Sequence, residues 1–210
     1  MVFRKIAQGA EAVITADSKI VSKQRVQKRY RHPMLDILLR RQRSRHEARM
    51  MQRLHDMGFP VPEILSVDEK ESAISMEFVK GKLVKDLLAT NPSGLSREIG
   101  KNVAALHSAD IIHGDLTTSN MIRSVKDGRV HFIDYGLSFI SLKEEDKAVD
   151  LFMLRKGLEA KHYDIADDCF RAVVESYKKN YLRSSAVLER FAKVEKRGRH
   201  KKRAGDVLNP

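Results

Sequence analysis

Acidic residues are scarce in this chain: 28 Asp and Glu stand against 40 Lys and Arg, leaving a formal charge of +12 and an isoelectric point near 9.8. Such an excess attracts polyanions at long range, so either a nucleic acid or an acidic partner is expected, or the basic face only keeps the protein soluble. Cysteine is nearly missing. Cys169 stands alone, which excludes an internal disulfide and points to a reducing compartment. With only five prolines, 42% hydrophobic and 32% charged residues, a disordered majority is excluded as well. No apolar run approaches the roughly 18 residues of a membrane span, and no N-terminal stretch joins a charged start to a long apolar core. The expectation is a protein with no membrane partner in the cytoplasm, with nuclear entry also open. Its 210 residues can bury one core or two small ones flanking a cleft.

What the chain does hold is a compact constellation between residues 113 and 136. His113-Gly114-Asp115-Leu116-Thr117-Thr118-Ser119-Asn120 places an Asp five positions before an Asn. Val130-His131-Phe132-Ile133 then alternates like a strand and ends on Asp134-Tyr135-Gly136. This is the layout that phosphoryl transfer from ATP requires, because that chemistry rests on positioning and charge neutralisation and needs few side chains. Asp115 can orient the attacking oxygen as catalytic base. Asn120 and Asp134 can hold Mg2+, whose hardness suits carboxamide and carboxylate oxygens.

The nucleotide should then lie against the N-terminal residues. Bursts at Val2–Ile6, Ala12–Ile14 and Ile20–Val21 read as strands, with a tight turn at Gln8-Gly9-Ala10-Glu11. Gly9 and Ala10 can present backbone N–H groups to phosphates, although with one glycine where a full G-x-G-x-x-G has three the motif alone favours an ordinary hairpin. Lys23 ends the third burst, where a lysine can reach phosphates if a glutamate holds it. Pro33 opens a predicted helix to about Met57, stopped by Gly58, with Leu35, Leu38, Leu39, Ala48, Met51 and Leu54 as its apolar stripe. Glu47 in that helix is either the partner of Lys23 or a surface partner of Arg43 or Arg45. Two further strands, near 64–67 and 72–79, carry Glu77 and Val79 into the expected linker, whose backbone would receive adenine.

Beyond the linker the pattern turns helical. Leu95, Ile99, Val103 and Leu106 recur at core-facing spacing up to His107, which reads as a packing or helix-end residue. Helices are predicted over 146–161, 163–179 and 185–193. From Lys193 the composition changes, with seven Lys or Arg among eleven residues to Arg203. A stable helix is not expected there. Lys196, Arg197, Arg199, Lys201, Lys202 and Arg203 form a basic arm suited to phosphates, or to nuclear import. The predicted class is α+β, a reduced two-lobed protein-kinase-like fold. It comprises an N-lobe over 1–80 (an antiparallel sheet plus one long helix), a helical C-lobe over 81–195 and a basic tail over 196–210.

Gln8-Gly9-Ala10-Glu11-Ala12, Lys28-Arg29-Tyr30-Arg31-His32-Pro33, Glu47-Ala48-Arg49, the 113–120 stretch, Asp134-Tyr135-Gly136-Leu137-Ser138-Phe139-Ile140 and Glu145-Asp146-Lys147-Ala148-Val149-Asp150-Leu151 together resemble the small atypical kinases of the KEOPS (EKC) complex, the PRPK lineage. The resemblance covers nearly the whole chain. It implies an ATP-hydrolysing, autophosphorylating Ser/Thr kinase in service of threonylcarbamoyladenosine formation on tRNA. It also implies a metal-dependent, ATPase-fold catalytic partner subunit and a basic tail on tRNA. By resemblance Asp115 is the base, Asn120 and Asp134 are the magnesium ligands, and Lys23 with Glu47 serves the phosphates. Asp150 would anchor the catalytic loop from the helix below.

Two absences separate this chain from ordinary protein kinases. Thr117 stands where they carry a lysine, and no Ala-Pro-Glu anchor follows Gly136. Both favour water or a self-hydroxyl as acceptor. A different class of function remains, that of a basic adaptor between tRNA and partner proteins whose ATP site is idle.

Overall fold

The computed structural model describes residues 3–205, with side chains through Arg197. The chain divides into two units, Met1–Lys82 with Ile122–Leu137, and Leu83–Met121 with Ser138–Pro210.

The first unit is built on a five-stranded antiparallel sheet. Its strands are β1 (Arg4–Gln8), β2 (Ala12–Ala16), β3 (Ile20–Arg25), β4 (Ile64–Asp68) and β5 (Ala73–Glu77), in the order β1-β2-β3-β5-β4. β2 and β3 pair with Ile14 opposite Lys23, and β3 and β5 with Lys23 opposite Ile74. Between β3 and β4 runs α1 (Pro33–Asp56), with Pro33 in its first turn, where a missing N–H costs nothing. Gly58, at φ +73°, donates its N–H to the His55 carbonyl and turns the chain out of the helix.

Ala48, Met51 and Leu54 of α1 are buried, as are Ile74 and Met76 of β5. The first half of the predicted apolar stripe is not. Leu35 and Leu38 are exposed, because the buried position in those turns belongs to Asp36, which accepts hydrogen bonds from Arg40 Nε at 2.7 Å and the Lys28 amide at 3.2 Å. A small sheet of β6 (Gly81–Leu83), β8 (Met121–Ser124) and β9 (Val130–Phe132), in the order β6-β8-β9, completes this part of the chain. Phe132 meets Phe59 edge-on at 5.5 Å.

The second unit is helical. After α2 (Val84–Leu87) and a 3-10 turn, Asn91 caps α3 (Pro92–Ser108) by accepting from the Gly94 amide at 3.1 Å. Leu95, Ile99, Val103 and Leu106 all face the core, as their spacing predicts. α3 packs on α5 (Ala166–Asn180) at Gly100, where a Cβ would lie 2.3 Å from the Val173 carbonyl oxygen. Two strands of two residues each, β7 (Ile111–Ile112) and β10 (Phe139–Ile140), pair antiparallel. α4 (Glu144–Lys161) and α6 (Ser184–Gly205) complete the unit.

The predicted end of the last helix near Lys193 is corrected here, since α6 runs through the basic run to Gly205. Its apolar spacing continues to Val194, and ion pairs to α4 follow it: Glu195 with Arg155 at 2.6 Å, and Arg190 and Arg197 with Glu145. These opposite charges offset the like-charge repulsion at the start of the run. Among the described residues no helix is long and apolar enough to cross a membrane.

Candidate active site

In the first unit the site grows out of strand alternation. Lys23 and Arg25, two apart on β3, share a face of the sheet, and that face meets Glu47 of α1. Lys23 Nζ lies 2.7 Å from Glu47 Oε1, and Arg25 Nη2 lies 2.6 Å from Glu47 Oε2, all three residues being buried. Of the two readings of Glu47, the interior one describes the molecule. Arg43 and Arg45 pair instead with Glu11 at 2.9 Å and Glu69 at 2.7 Å.

Lys23 Nζ is also 2.7 Å from Asp134 Oδ1, on a side chain that is 44% exposed. Asp134 has φ +65°, an uncommon conformation for a residue with a side chain, and its Oδ1 accepts the Gly136 amide at 3.3 Å. A side chain at Gly136 would crowd this cluster, since its Cβ would lie 2.8 Å from Arg25 Nη2 and 3.4 Å from Glu47 Oε2.

The other first-unit candidates lie in less committed surroundings. Gly9 and Ala10 are exposed in the β1–β2 turn, where the Gly9 amide donates to the Ala12 carbonyl and the Ala10 carbonyl accepts from Lys28 Nζ. Glu77 ends β5, with its amide on the Glu63 carbonyl at 2.8 Å and its carboxylate accepting from Lys126 at 3.1 Å. Val79 follows, half-buried.

The second unit holds the loop that leaves β7. Gly114, at φ +78°, makes a reversal that a side chain would disfavour. Asp150 of α4 receives both neighbouring amides, His113 N–H on Oδ2 at 2.8 Å and Gly114 N–H on Oδ1 at 3.0 Å. The loop then brings Asp115 and Asn120 together: Asn120 Nδ2 donates to the Asp115 carbonyl and to Asp115 Oδ2, each at 2.9 Å. With its nitrogen so engaged, the Asn120 carboxamide oxygen is the end suited to a hard cation. Thr117 packs on Gly157, whose Cβ would lie 3.3 Å from the Thr117 methyl.

His107 does more than end a helix. It is wholly buried, with Nδ1 2.8 Å from the Tyr177 hydroxyl and Nε2 3.4 Å from Asp150 Oδ2. Burial lowers its pKa against the opposing pull of Asp150, so the ring is held towards its neutral form. Burial likewise pushes the Tyr177 phenol up. Arg25 is the residue of the Lys23–Glu47 cluster that sequence reasoning missed, whereas His107 is the packing residue its helix-end position suggested, with the tie to Asp150 added. The alternation Lys23-x-Arg25 is a signal for the arginine, while the bonds of His107 to Tyr177 and Asp150 show only in three dimensions.

Of the basic arm, Lys196 and Arg197 lie on α6, and Arg197 pairs with Glu145. The side chains of Arg199, Lys201, Lys202 and Arg203 lie outside the described residues.

Comparison with known proteins follows the same lines. The chain is 36% identical over 95% of its length to the KEOPS complex subunit Bud32 of Pyrococcus abyssi, covering 97% of that protein. It is 40% identical over 91% of its length to the EKC/KEOPS complex subunit BUD32 of Encephalitozoon cuniculi, covering 93% of that one. The RIO-domain profile matches residues 7–156. The chain is a RIO-domain protein of the Bud32 family.

A longer relative, a probable bifunctional tRNA threonylcarbamoyladenosine biosynthesis protein of Methanocaldococcus jannaschii, is 40% identical over 93% of this chain, which spans 36% of that protein. Among solved structures, the Rio2 kinase of Chaetomium thermophilum in its ADP/Mg2+-phosphoaspartate complex superimposes with a TM-score of 0.62 at 20% identity, over 87% of this chain and 63% of that one. The fold is therefore a kinase-like α+β fold of RIO type, with an antiparallel-sheet unit and a helical unit.

Proposed function

We propose that this RIO-domain chain is an ATP-hydrolysing, autophosphorylating Ser/Thr kinase that supports threonylcarbamoyladenosine formation on tRNA as a subunit of a KEOPS/EKC complex. The observation that carries the proposal is Lys23, buried on β3 with its ammonium 2.7 Å from both Glu47 and Asp134. A lysine fixed by a helix glutamate is what holding the phosphates of a nucleotide demands. The names of the relatives supply the setting, two as KEOPS or EKC/KEOPS complex subunits and one as a probable bifunctional tRNA threonylcarbamoyladenosine biosynthesis protein.

Each side chain then has a distinct task. Lys23 neutralises phosphate charge, and Glu47 keeps it extended. Asp115, steadied by Asn120 Nδ2, orients the acceptor oxygen and takes its proton. Asn120 and Asp134 fit Mg2+ as hard oxygen donors, and the ion when bound would neutralise charge on the phosphates. Asp150 acts on none of these groups and fixes the amides that lead into Asp115. Gly9, Ala10, Glu77 and Val79 contribute backbone around the nucleotide. Thr117 in place of a lysine and α4 starting at Glu144 leave little for docking a peptide, so water or a self-hydroxyl is the favoured acceptor. A metal-dependent ATPase-fold subunit and tRNA are the partners this reading requires.

ATP turnover with and without the partner subunit and tRNA tests the proposal. Asp134→Ala and Asp115→Ala should each lower turnover by at least about a hundredfold while leaving the melting temperature near that of the parent. Undiminished turnover in either variant overturns the enzyme reading. Intact tRNA modification in cells carrying Asp134→Ala would favour the adaptor role instead.

A further inference from the structure

The reaction proposed above, on which this inference rests, uses Asp150 of α4. One turn earlier the same helix presents a second enclosed polar side chain that the reaction leaves without a task. Lys147 is 1% exposed, and its Nζ lies 2.6 Å from Asp110 Oδ1 and 3.0 Å from the Tyr181 hydroxyl, 5.3 Å from the centre of the Tyr181 ring. Lysine is almost never so enclosed unless it is paired. Burial works against its ammonium, but the bonds to Asp110 and Tyr181 prevail and raise its pKa above the ordinary lysine value, so the charge persists.

Its partner occupies a junction. Asp110 has φ +58° and directly precedes β7, the strand that delivers the loop carrying Asp115 and Asn120. The Asp110 carbonyl accepts the Ser141 amide at 2.8 Å just beyond β10, and Ser141 Oγ donates to Asp146 of α4 at 2.6 Å. Lys147 and Asp150 are three residues apart and so project from one face of the helix. They grip the two ends of β7, at Asp110 and at His113-Gly114. Each grip is backed by a tyrosine: Tyr181 bonds Lys147 directly, and Tyr177 reaches Asp150 through His107.

We propose that Lys147 is a positioning residue for phosphoryl transfer, fixing Asp110 so that β7, held at both ends by α4, places Asp115 correctly. It touches no reacting group.

Full-length Lys147→Met protein distinguishes this role from one in stability alone. Asp110 is partly exposed, so water can solvate its carboxylate once the ammonium is gone. The expected result is a fall of about tenfold in kcat per folded molecule, since small misplacements of catalytic groups cost that much or more, with KM for ATP within about twofold of the parent. Tyr181→Phe, which keeps the ring and removes one bond to Lys147, should lower kcat about threefold in the same pattern, and it gives the answer if Lys147→Met does not fold. A parental kcat per folded molecule in the variant that folds, with losses only in melting temperature, overturns the proposal. If the parent itself turns over no more ATP than Asp134→Ala, the proposed enzyme reading has failed instead.

Discussion

Glu47 is bonded through each carboxylate oxygen to a different cation of β3, Lys23 at 2.7 Å and Arg25 at 2.6 Å. Lys23 is shared with Asp134 at 2.7 Å, so without Arg25 one buried cation faces two carboxylates. Taking Arg25 away leaves a buried carboxylate with one partner, and breaking such a pair is far costlier than losing a surface ion pair. Arg25→Met is therefore expected to lose about 3 kcal/mol of unfolding free energy, read from chemical denaturation, with ATP turnover falling as Lys23 shifts. At this scale the sequence marked Asp115, Asn120, Asp134 and Lys23 as candidates by their spacing, and the structure sets Lys23 beside Asp134 and Asn120 beside Asp115. The sequence left Glu47 open between two readings, since a glutamate among arginines on a helix looks alike whether it points in or out. Arg25 and Lys147 escaped because burial that reverses the usual place of a charged group is a property of the packed molecule.

Elements with their own periodicity were legible. α3 was read from Leu95, Ile99, Val103 and Leu106, and α1 from Pro33 and Gly58, which mark its ends. β7 and β10 were not legible, because two residues have no period and each strand exists only by pairing with the other. The extent of α6 was missed for a related reason, as ion pairs of Arg190, Glu195 and Arg197 to α4 support the start of a run that local composition argues against. The α3–α5 contact makes a sharp test of how packing and propensity compete. Alanine favours a helix interior over glycine by about 1 kcal/mol, yet at Gly100 a Cβ would lie 2.3 Å from the Val173 carbonyl oxygen and 2.9 Å from Ser176 Cβ. Overpacking should win. Gly100→Ala is expected to destabilise the protein by a net of about 2 kcal/mol, measured as a shift in the denaturation midpoint, whereas a gain would mean that the helices separate without cost.

For the whole molecule the charge of +12 is the feature that composition alone exposed, and it ties the fold to its proposed partner. Should six cations of the basic arm meet RNA phosphates, tRNA affinity will fall by about a thousandfold between about 50 and 200 mM salt. A chain ending at residue 195 should bind more weakly at low salt and lose most of that slope, as titration against labelled tRNA would show, and an unchanged slope would place the contact elsewhere. The double bond to Glu47 also bears on motion: withdrawing α1 from β3 has to release Lys23 and Arg25 together. A helix bonded in this way moves with its strand, so the reach of Lys23 is settled as the first unit folds.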